Sequence, residues 1–181
     1  MFKRWLSKYT PFHLMLIAAA AALGVAVKPV VSALAQAVTG PLPGGTVAGG
    51  IYMLFLVLAP ALTGARGAGT LCGFCQGLLV LALGVPGSHG ALSPLTYALP
   101  GFAADLMFLL FARREVNFPA CAFAGLLANV TGTASVNLAF FSLPTVPLLL
   151  SLCAAALSGA LGGAGAWGIT KQLRRWGAIK N

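Results

Sequence analysis

Residues 47–83 decide the fold of this chain, and they read VAGGIYMLFLVLAPALTGARGAGTLCGFCQGLLVLAL. Two apolar runs flank the short turn at residues 63–67, where Arg66 is the one charged residue of the stretch. Basic residues are retained on the cytoplasmic side when a membrane protein inserts. We therefore expect the turn at Arg66 to face the cytoplasm and the two runs to cross the membrane on either side of it.

The other basic residues extend this arrangement along the chain. Apart from Lys28, every Lys and Arg falls in one of four clusters, which comprise Lys3, Arg4 and Lys8; Arg66; Arg113 and Arg114; and Lys171, Arg174, Arg175 and Lys180. The turns at 39–47, 85–94 and 138–146 carry no Lys, Arg, Asp or Glu. Enough apolar chain for two crossings separates successive clusters, so the alternation predicts six transmembrane helices with the N and C termini cytoplasmic.

The composition is that of an integral membrane protein. Hydrophobic residues make up 59% of the chain and charged residues 7%, with a mean hydropathy of +0.94. We expect an all-α single transmembrane domain over residues 1–181, with spans at 11–37, 47–62, 68–83, 94–111, 119–136 and 144–169. The net charge of +9 borders these spans, which favours anionic lipid over nucleic acid as its partner. No extramembrane stretch could hold an enzyme or ATPase domain, and no Walker-type glycine loop is present.

The first predicted span has two unusual features. Pro29 lies inside it and is expected to kink or break the helix. The N-terminal segment also imitates a signal peptide, but Lys28 and Pro29 would separate its apolar core from the cleavage site. We therefore expect the segment to be retained as the first span.

Two charged residues within the spans are candidate substrate-binding residues. Lys28 could reach the outer headgroups, or face a cavity and pair there with an anionic group of a ligand or with Asp105. Asp105, the one acid inside a span, could be neutral, a hydrogen-bonding residue that packs two helices, or a ligand contact. A direct Lys28–Asp105 pair is not favoured, because the two residues lie at different depths.

Polar and aromatic side chains complete the candidate site. Gln76 and Asn129 carry amides that either join helices or read the edge of a heterocycle. His89 lies in a glycine-rich outer loop, where it is either solvated or part of a lid. The predicted substrate-binding residues are Lys28, Tyr52, Gln76, His89, Tyr97, Asp105 and Asn129.

The sequence gives little support to metal binding or catalysis. Cys72 and Cys75 form a C-x-x-C pattern, but a zinc site would need a second pair of ligands, so we expect them to be packing residues. Neither G-x-S-x-G nor H-E-x-x-H is present, and no acidic pair is available for acid–base chemistry. We expect no catalytic residues, no metal and no cofactor.

Small residues recur at the spacing that lets membrane helices approach closely. The pairs Gly73/Gly77 and Gly159/Gly163 are expected to pack inside the bundle. The alanine face formed by Ala18, Ala22 and Ala26 is instead suited to sliding contact with another membrane protein.

Several motifs resemble those of a known transporter family. They are AGGIYMLFLVL at 48–58, LTGARGA at 62–68, GFCQG at 73–77 and YALPGFAAD at 97–105. Together with the topology, they resemble the substrate-binding S component of energy-coupling factor (ECF) vitamin transporters. The closest resemblance is to S components proposed for hydroxymethylpyrimidine or thiamine precursors, and it covers roughly residues 11–115.

This resemblance implies a non-enzymatic subunit in the cell membrane of a prokaryote. Its pocket would lie in the outer half and be closed by the outer loops. Ala18, Ala22 and Ala26 would dock onto a membrane coupling protein, the T component, and two cytoplasmic ATPase subunits would drive transport. The balance of one acid and one base within the spans favours a small, neutral or weakly anionic ring compound, since thiamine itself would require more acid than Asp105 supplies.

Two other classes of protein stay open. A self-sufficient channel or permease would need more titratable residues along its path. A structural membrane subunit would explain the small-residue faces but not the combination of Lys28, Gln76 and Asn129.

Overall fold

The computed structural model describes residues 9–39, 45–85, 88–111 and 116–179, and these residues are helical with no β-strand. The helices are α1 (Pro11–Ala26), α2 (Lys28–Thr39), α3 (Gly45–Thr63), α4 (Ala68–Leu83), α5 (Ser93–Phe111), α6 (Phe118–Val136) and α7 (Thr145–Arg175). A 3₁₀ turn (Gly90–Leu92) precedes α5, and a π-helical turn (Asn137–Phe141) follows α6. The expected all-α class is therefore confirmed for the described residues.

Local sequence signals account for the helix boundaries. At the start of α1, Thr10 accepts a hydrogen bond from the backbone N–H of His13 at 3.2 Å, and Pro11 occupies the first turn. At the start of α6, Asn117 accepts from the N–H of Ala120 at 2.8 Å. The first predicted span is divided at Val27, just before Pro29, as expected for a proline that cannot continue a helix.

One seam of close helix contacts surrounds α7, which packs against α3 and α6. A Cβ added at Gly162 would collide with the carbonyl oxygen of Gly50, and one added at Gly163 would collide with that of Cys121. Gly125 and Gly159 face each other in the same way across α6 and α7. Glycine is required at these positions because the backbones themselves are in contact.

A second seam joins α4 to α5. A Cβ at Gly73 would collide with the carbonyl oxygen of Tyr97, and one at Gly77 would lie 2.6 Å from Ser93 O and from Pro94 Cα. The glycine pairs singled out in the sequence thus pack within this bundle, as predicted. The two seams fix the spacing of five helices, α3 to α7.

Six helical segments are apolar over most of their length. Four are long enough to cross a membrane, namely Pro11–Ala35, Gly90–Phe111, Phe118–Phe141 and Thr145–Arg175, and Ala48–Thr63 and Ala68–Leu83 are shorter. Large apolar side chains such as Leu138, Leu157 and Leu161 point outward and are more than 70% exposed, as expected for a surface that lipid covers. The last helix extends to Arg175, beyond its predicted end at 169.

We predict that Gly162→Val destabilises the protein, because the added side chain cannot fit against the backbone of Gly50. Overpacking of this kind costs about 1–3 kcal/mol. Gly168→Val on the same helix is the matched control, since nothing lies within 4 Å of a Cβ built there. Thermal unfolding of the detergent-purified variants measures the difference, and an equal loss in both would contradict the role assigned to Gly162.

Candidate functional site

The centre of the candidate site is the buried side chain of Lys28. It is 5% exposed and donates a hydrogen bond to the hydroxyl of Tyr97. Its ammonium nitrogen lies 4.7 Å from the ring centroid of Tyr52 and 4.3 Å from that of Tyr97. Three elements therefore meet here: the start of α2, the N-terminal part of α3 and the N-terminal half of α5. The Lys28 side chain is therefore buried within the bundle, and its role in substrate binding stays a prediction.

Tyr52 also contacts the backbone of the same residue. Its hydroxyl donates to the carbonyl oxygen of Lys28 at 3.4 Å. That carbonyl belongs to the first turn of α2, so Tyr52 joins α3 to the point where the first span is interrupted. Tyr52 thus contacts Lys28 twice. Its ring lies against the ammonium group, and its hydroxyl is hydrogen-bonded to the backbone carbonyl.

His89 lies beside this cluster and joins three segments. Its backbone N–H donates to Ser93 Oγ at 2.8 Å, and its Nδ1 is 3.0 Å from Thr96 Oγ1. Its ring stacks on Phe140 of the π-helical turn, with a centroid distance of 4.9 Å and an interplanar angle of 16°. The ring centroid of Tyr97 is 6.2 Å away. His89 therefore connects the loop after α4 to both α5 and the end of α6.

The electrostatics of His89 reflect its neighbours. Burial, and secondly the positive charge of Lys28, lower the pKa of His89 below its usual 6.5. The imidazole is consequently neutral at pH 7. The field of Lys28 thus extends to the loop that borders the site.

The two amides lie at helix interfaces. Gln76 is 2% exposed, packs against Gly24 of α1 and donates to the sulfur of Cys72 at 3.9 Å. Asn129 is also 2% exposed, donates to Ala155 O and Ser158 Oγ at 2.9 Å each, and packs against Gly49. Both residues join helices, and a role in binding stays a prediction for each.

The side chain of Asp105 caps the N-terminus of α4. Its carboxylate accepts hydrogen bonds from the N–H of Gly69 at 2.9 Å, from the N–H of Thr70 at 2.7 Å and from the hydroxyl of Thr70 at 2.6 Å. The N-cap residue of α4 is Gly67, which has no side chain, so Asp105 supplies the missing acceptor from another helix. Local sequence does not reveal the role of Thr70, because its partner in this cap lies 35 positions away.

Asp105 is separated from the Lys28 cluster along α5. It lies eight residues after Tyr97 in that helix, which corresponds to about 12 Å. Its carboxylate binds the first turn of α4, whereas His89 follows the last residue of α4, Leu83. No ion pair joins Lys28 and Asp105 within the described ranges, in line with the expectation that such a pair is not favoured. The structure groups Lys28, Tyr52, His89 and Tyr97, and it places Asp105 elsewhere.

The remaining candidates are an alanine face and the cysteines. Ala18, Ala22 and Ala26 are all exposed on α1, while the intervening Ala20 and Ala21 are buried. Cys72 is buried, and Cys75 is half-buried. Within the part of the chain that the structure describes, no group of three or more His, Cys, Asp or Glu side chains could hold a metal ion.

Comparisons with known proteins agree with this architecture. The model of the family described as "ABC-type cobalt transport system, permease component" matches residues 12–131. A solved structure titled "Crystal structure of an S-component of ECF transporter" superimposes with a TM-score of 0.76 and 18% sequence identity, covering 93% of this chain and 87% of that one. The search of curated proteins found no match. The resemblance to an S component is thereby confirmed at the level of the fold.

We predict that Lys28→Met raises the pKa of His89, because it removes the repulsive charge, while burial keeps that pKa below 6.5. The NMR signals of His89, followed through a pH titration in the variant and in the unchanged protein, measure this. Since the folded state binds this proton less readily than the unfolded chain, the stability contributed by neutral His89 is complete above pH 6.5 and falls as the pH drops below it. An unchanged titration midpoint in Lys28→Met would contradict the proximity of the two groups.

We predict that Asp105→Ala destabilises the first turn of α4. The change leaves the N–H groups of Gly69 and Thr70 without their acceptor, at a cost of about 1–3 kcal/mol. Asp105→Asn is the matched variant, because it keeps one acceptor oxygen and should lose less. Amide hydrogen exchange at Gly69 and Thr70 measures the effect, and unaltered protection in Asp105→Ala would rule out the capping role.

Proposed function

Because this chain belongs to the family of ABC-type cobalt transport system permease components, we propose that it is the substrate-binding S component of an ECF-type importer. The shared fold of the solved S component supports this proposal. The apolar helices and the four basic clusters support six crossings with both termini in the cytoplasm. The subunit would carry no catalytic activity of its own.

The observation that carries the proposal is the cluster of Lys28 with Tyr52 and Tyr97. It combines two aromatic rings with a hydroxyl and an ammonium group, which are the groups that orient a small heterocycle in a largely apolar site. His89 and Phe140 close one side of this cluster. We propose that a vitamin or vitamin precursor with a small ring binds here, and that Gln76, Asn129 and Asp105 support the helices around it.

The description of the family raises cobalt as an alternative substrate. A cobalt ion would need several imidazole, thiolate or carboxylate ligands at one place. The described residues contain no such group, and the charged residue at the centre of the site is a cation. An organic ring therefore fits this site better than a metal ion does.

The proposed partners follow from the S-component fold. The exposed face of Ala18, Ala22 and Ala26 would dock onto a T component, where small residues allow close helix contact. ATP hydrolysis would take place on two cytoplasmic partner subunits, in the cell membrane of a prokaryote. A self-sufficient channel or permease and a structural membrane subunit are the alternatives, and neither accounts for Lys28 buried between two tyrosines.

The first test of the proposal is native mass spectrometry of the gently purified protein. We expect a co-purifying small heterocycle. The variant Tyr97→Phe should bind this molecule about 2–10-fold more weakly, because one hydrogen bond is lost from the site. Tyr9→Phe is the control, since it also removes one hydroxyl hydrogen bond, to the carbonyl of Arg66 at 2.6 Å, but at the other end of α4. A protein that carries no small molecule and binds none from a panel of vitamins and precursors would favour the alternatives.

A further inference from the structure

The charge on Lys28 has no counter-ion in the part of the chain that the structure describes. Its side chain is 5% exposed, and the hydrogen-bond acceptor that it contacts is the neutral hydroxyl of Tyr97. An ammonium group has three N–H donors. Two aromatic faces compensate part of the cost of burying the charge, but a cation removed from water is stabilised most by an anion.

The chain contains few acidic residues that could form an ion pair with Lys28. The sequence contains two acidic residues, Asp105 and Glu115. Asp105 accepts hydrogen bonds from Gly69 and Thr70 and lies eight residues after Tyr97, about 12 Å along α5. Glu115 lies outside the described residues, and it follows Phe111, the last residue of α5, which is 14 residues or about 21 Å along that helix from Tyr97. The counter-ion must therefore be sought in a molecule that enters the site.

The neighbourhood of Lys28 is suited to an anionic ring. Tyr52 and Tyr97 present rings within 5 Å of the ammonium, and the hydroxyl of Tyr97 is both donor and acceptor. The neutral imidazole of His89 lies beside the ring of Tyr97, with a centroid distance of 6.2 Å, and brings no negative charge to Lys28. A planar ring would pack against the aromatic side chains while its anionic group approached Lys28.

We propose that the ligand of this protein is a small aromatic or heteroaromatic ring with one carboxylate, for which the Lys28 ammonium serves as the counter-ion. This inference rests on the proposed function and assigns the charge of the substrate. A monoanion matches a site with one cation and a neutral imidazole, whereas a phosphate ester would bring about two negative charges. The protein would distinguish the carboxylate from the carboxamide of the same ring by charge, because the two compounds have nearly the same shape.

The test compares ligands that share a ring and differ in charge. The probes are the carboxylate, the carboxamide, the aminomethyl derivative and the phosphate ester, each built on a pyridine and on a thiazole ring. Calorimetry with the purified full chain should show the carboxylate binding about tenfold or more tightly than the carboxamide, as expected for a hydrogen bond between charged groups. The aminomethyl compounds should bind most weakly.

Variants then assign this preference to Lys28. Lys28→Met should abolish the preference for the carboxylate over the carboxamide, and Lys28→Arg should retain most of it. Lys171→Met is the matched control, because Lys171 also lies over an aromatic ring, 4.7 Å from Trp167, but is exposed near the end of α7. If Lys28→Met does not fold, the charge series on the unchanged protein and on Lys28→Arg decides the question alone.

The outcomes separate this inference from the proposed function. A carboxamide or amine that binds as tightly as the carboxylate overturns the anion assignment and leaves the S-component proposal standing. If the phosphate ester binds more tightly than the carboxylate, the assignment of a monoanionic ligand is wrong. If no ring of any charge binds and no molecule co-purifies, the proposed function fails and the inference fails with it.

Discussion

Direct backbone contact between helices is the constraint on which the rest of this structure depends. In a bilayer, burying apolar side chains between helices gains little, because lipid is equally apolar, so close packing and interhelical hydrogen bonds must hold the bundle together. Gly50, Gly125, Gly159 and Gly162 bring α7 into backbone contact with α3 and α6. Asn129 adds hydrogen bonds at the same interface. The polar groups in this part of the protein are therefore part of its packing.

The seam between α4 and α5 has a different consequence, because it positions the candidate site. Gly73 contacts the backbone of Tyr97, and Gly77 contacts that of Ser93. Tyr97 carries the hydroxyl that receives the hydrogen bond of Lys28, and Ser93 accepts the N–H of His89. The distance between the two helices thus determines where the binding groups lie. A larger residue in α4 would displace the site without touching any ligand.

Much of this architecture could be predicted from local patterns. The basic clusters and the apolar runs located the helices, and Pro29 indicated the interruption of the first span. The isolated Lys28 singled out a residue that the structure buries between two tyrosines, and its role in binding stays a prediction. Local patterns could not predict which residues distant in sequence are in contact. Asp105 binds Thr70 across two helices, and His89 stacks on Phe140 because a π-helical turn redirects the chain after α6. Such contacts depend on helix rotation, which composition and spacing do not determine.

The length of α7 imposes a mismatch with the membrane. A helix of 31 residues is about 46 Å long, whereas the hydrocarbon core is about 30 Å thick. Even a tilt of about 40°, the upper end of the usual range, would leave about 35 Å of α7 along the membrane normal, so tilting alone does not absorb the excess. Its last turns, which carry Lys171, Arg174 and Arg175, must emerge from the hydrocarbon, and Arg174 reaches back to the carbonyl of Ala61 at 3.4 Å. In a bilayer, these basic side chains at the end of α7 would lie near the lipid phosphates, and their attraction to anionic lipid would resist displacement of the bundle along the membrane normal.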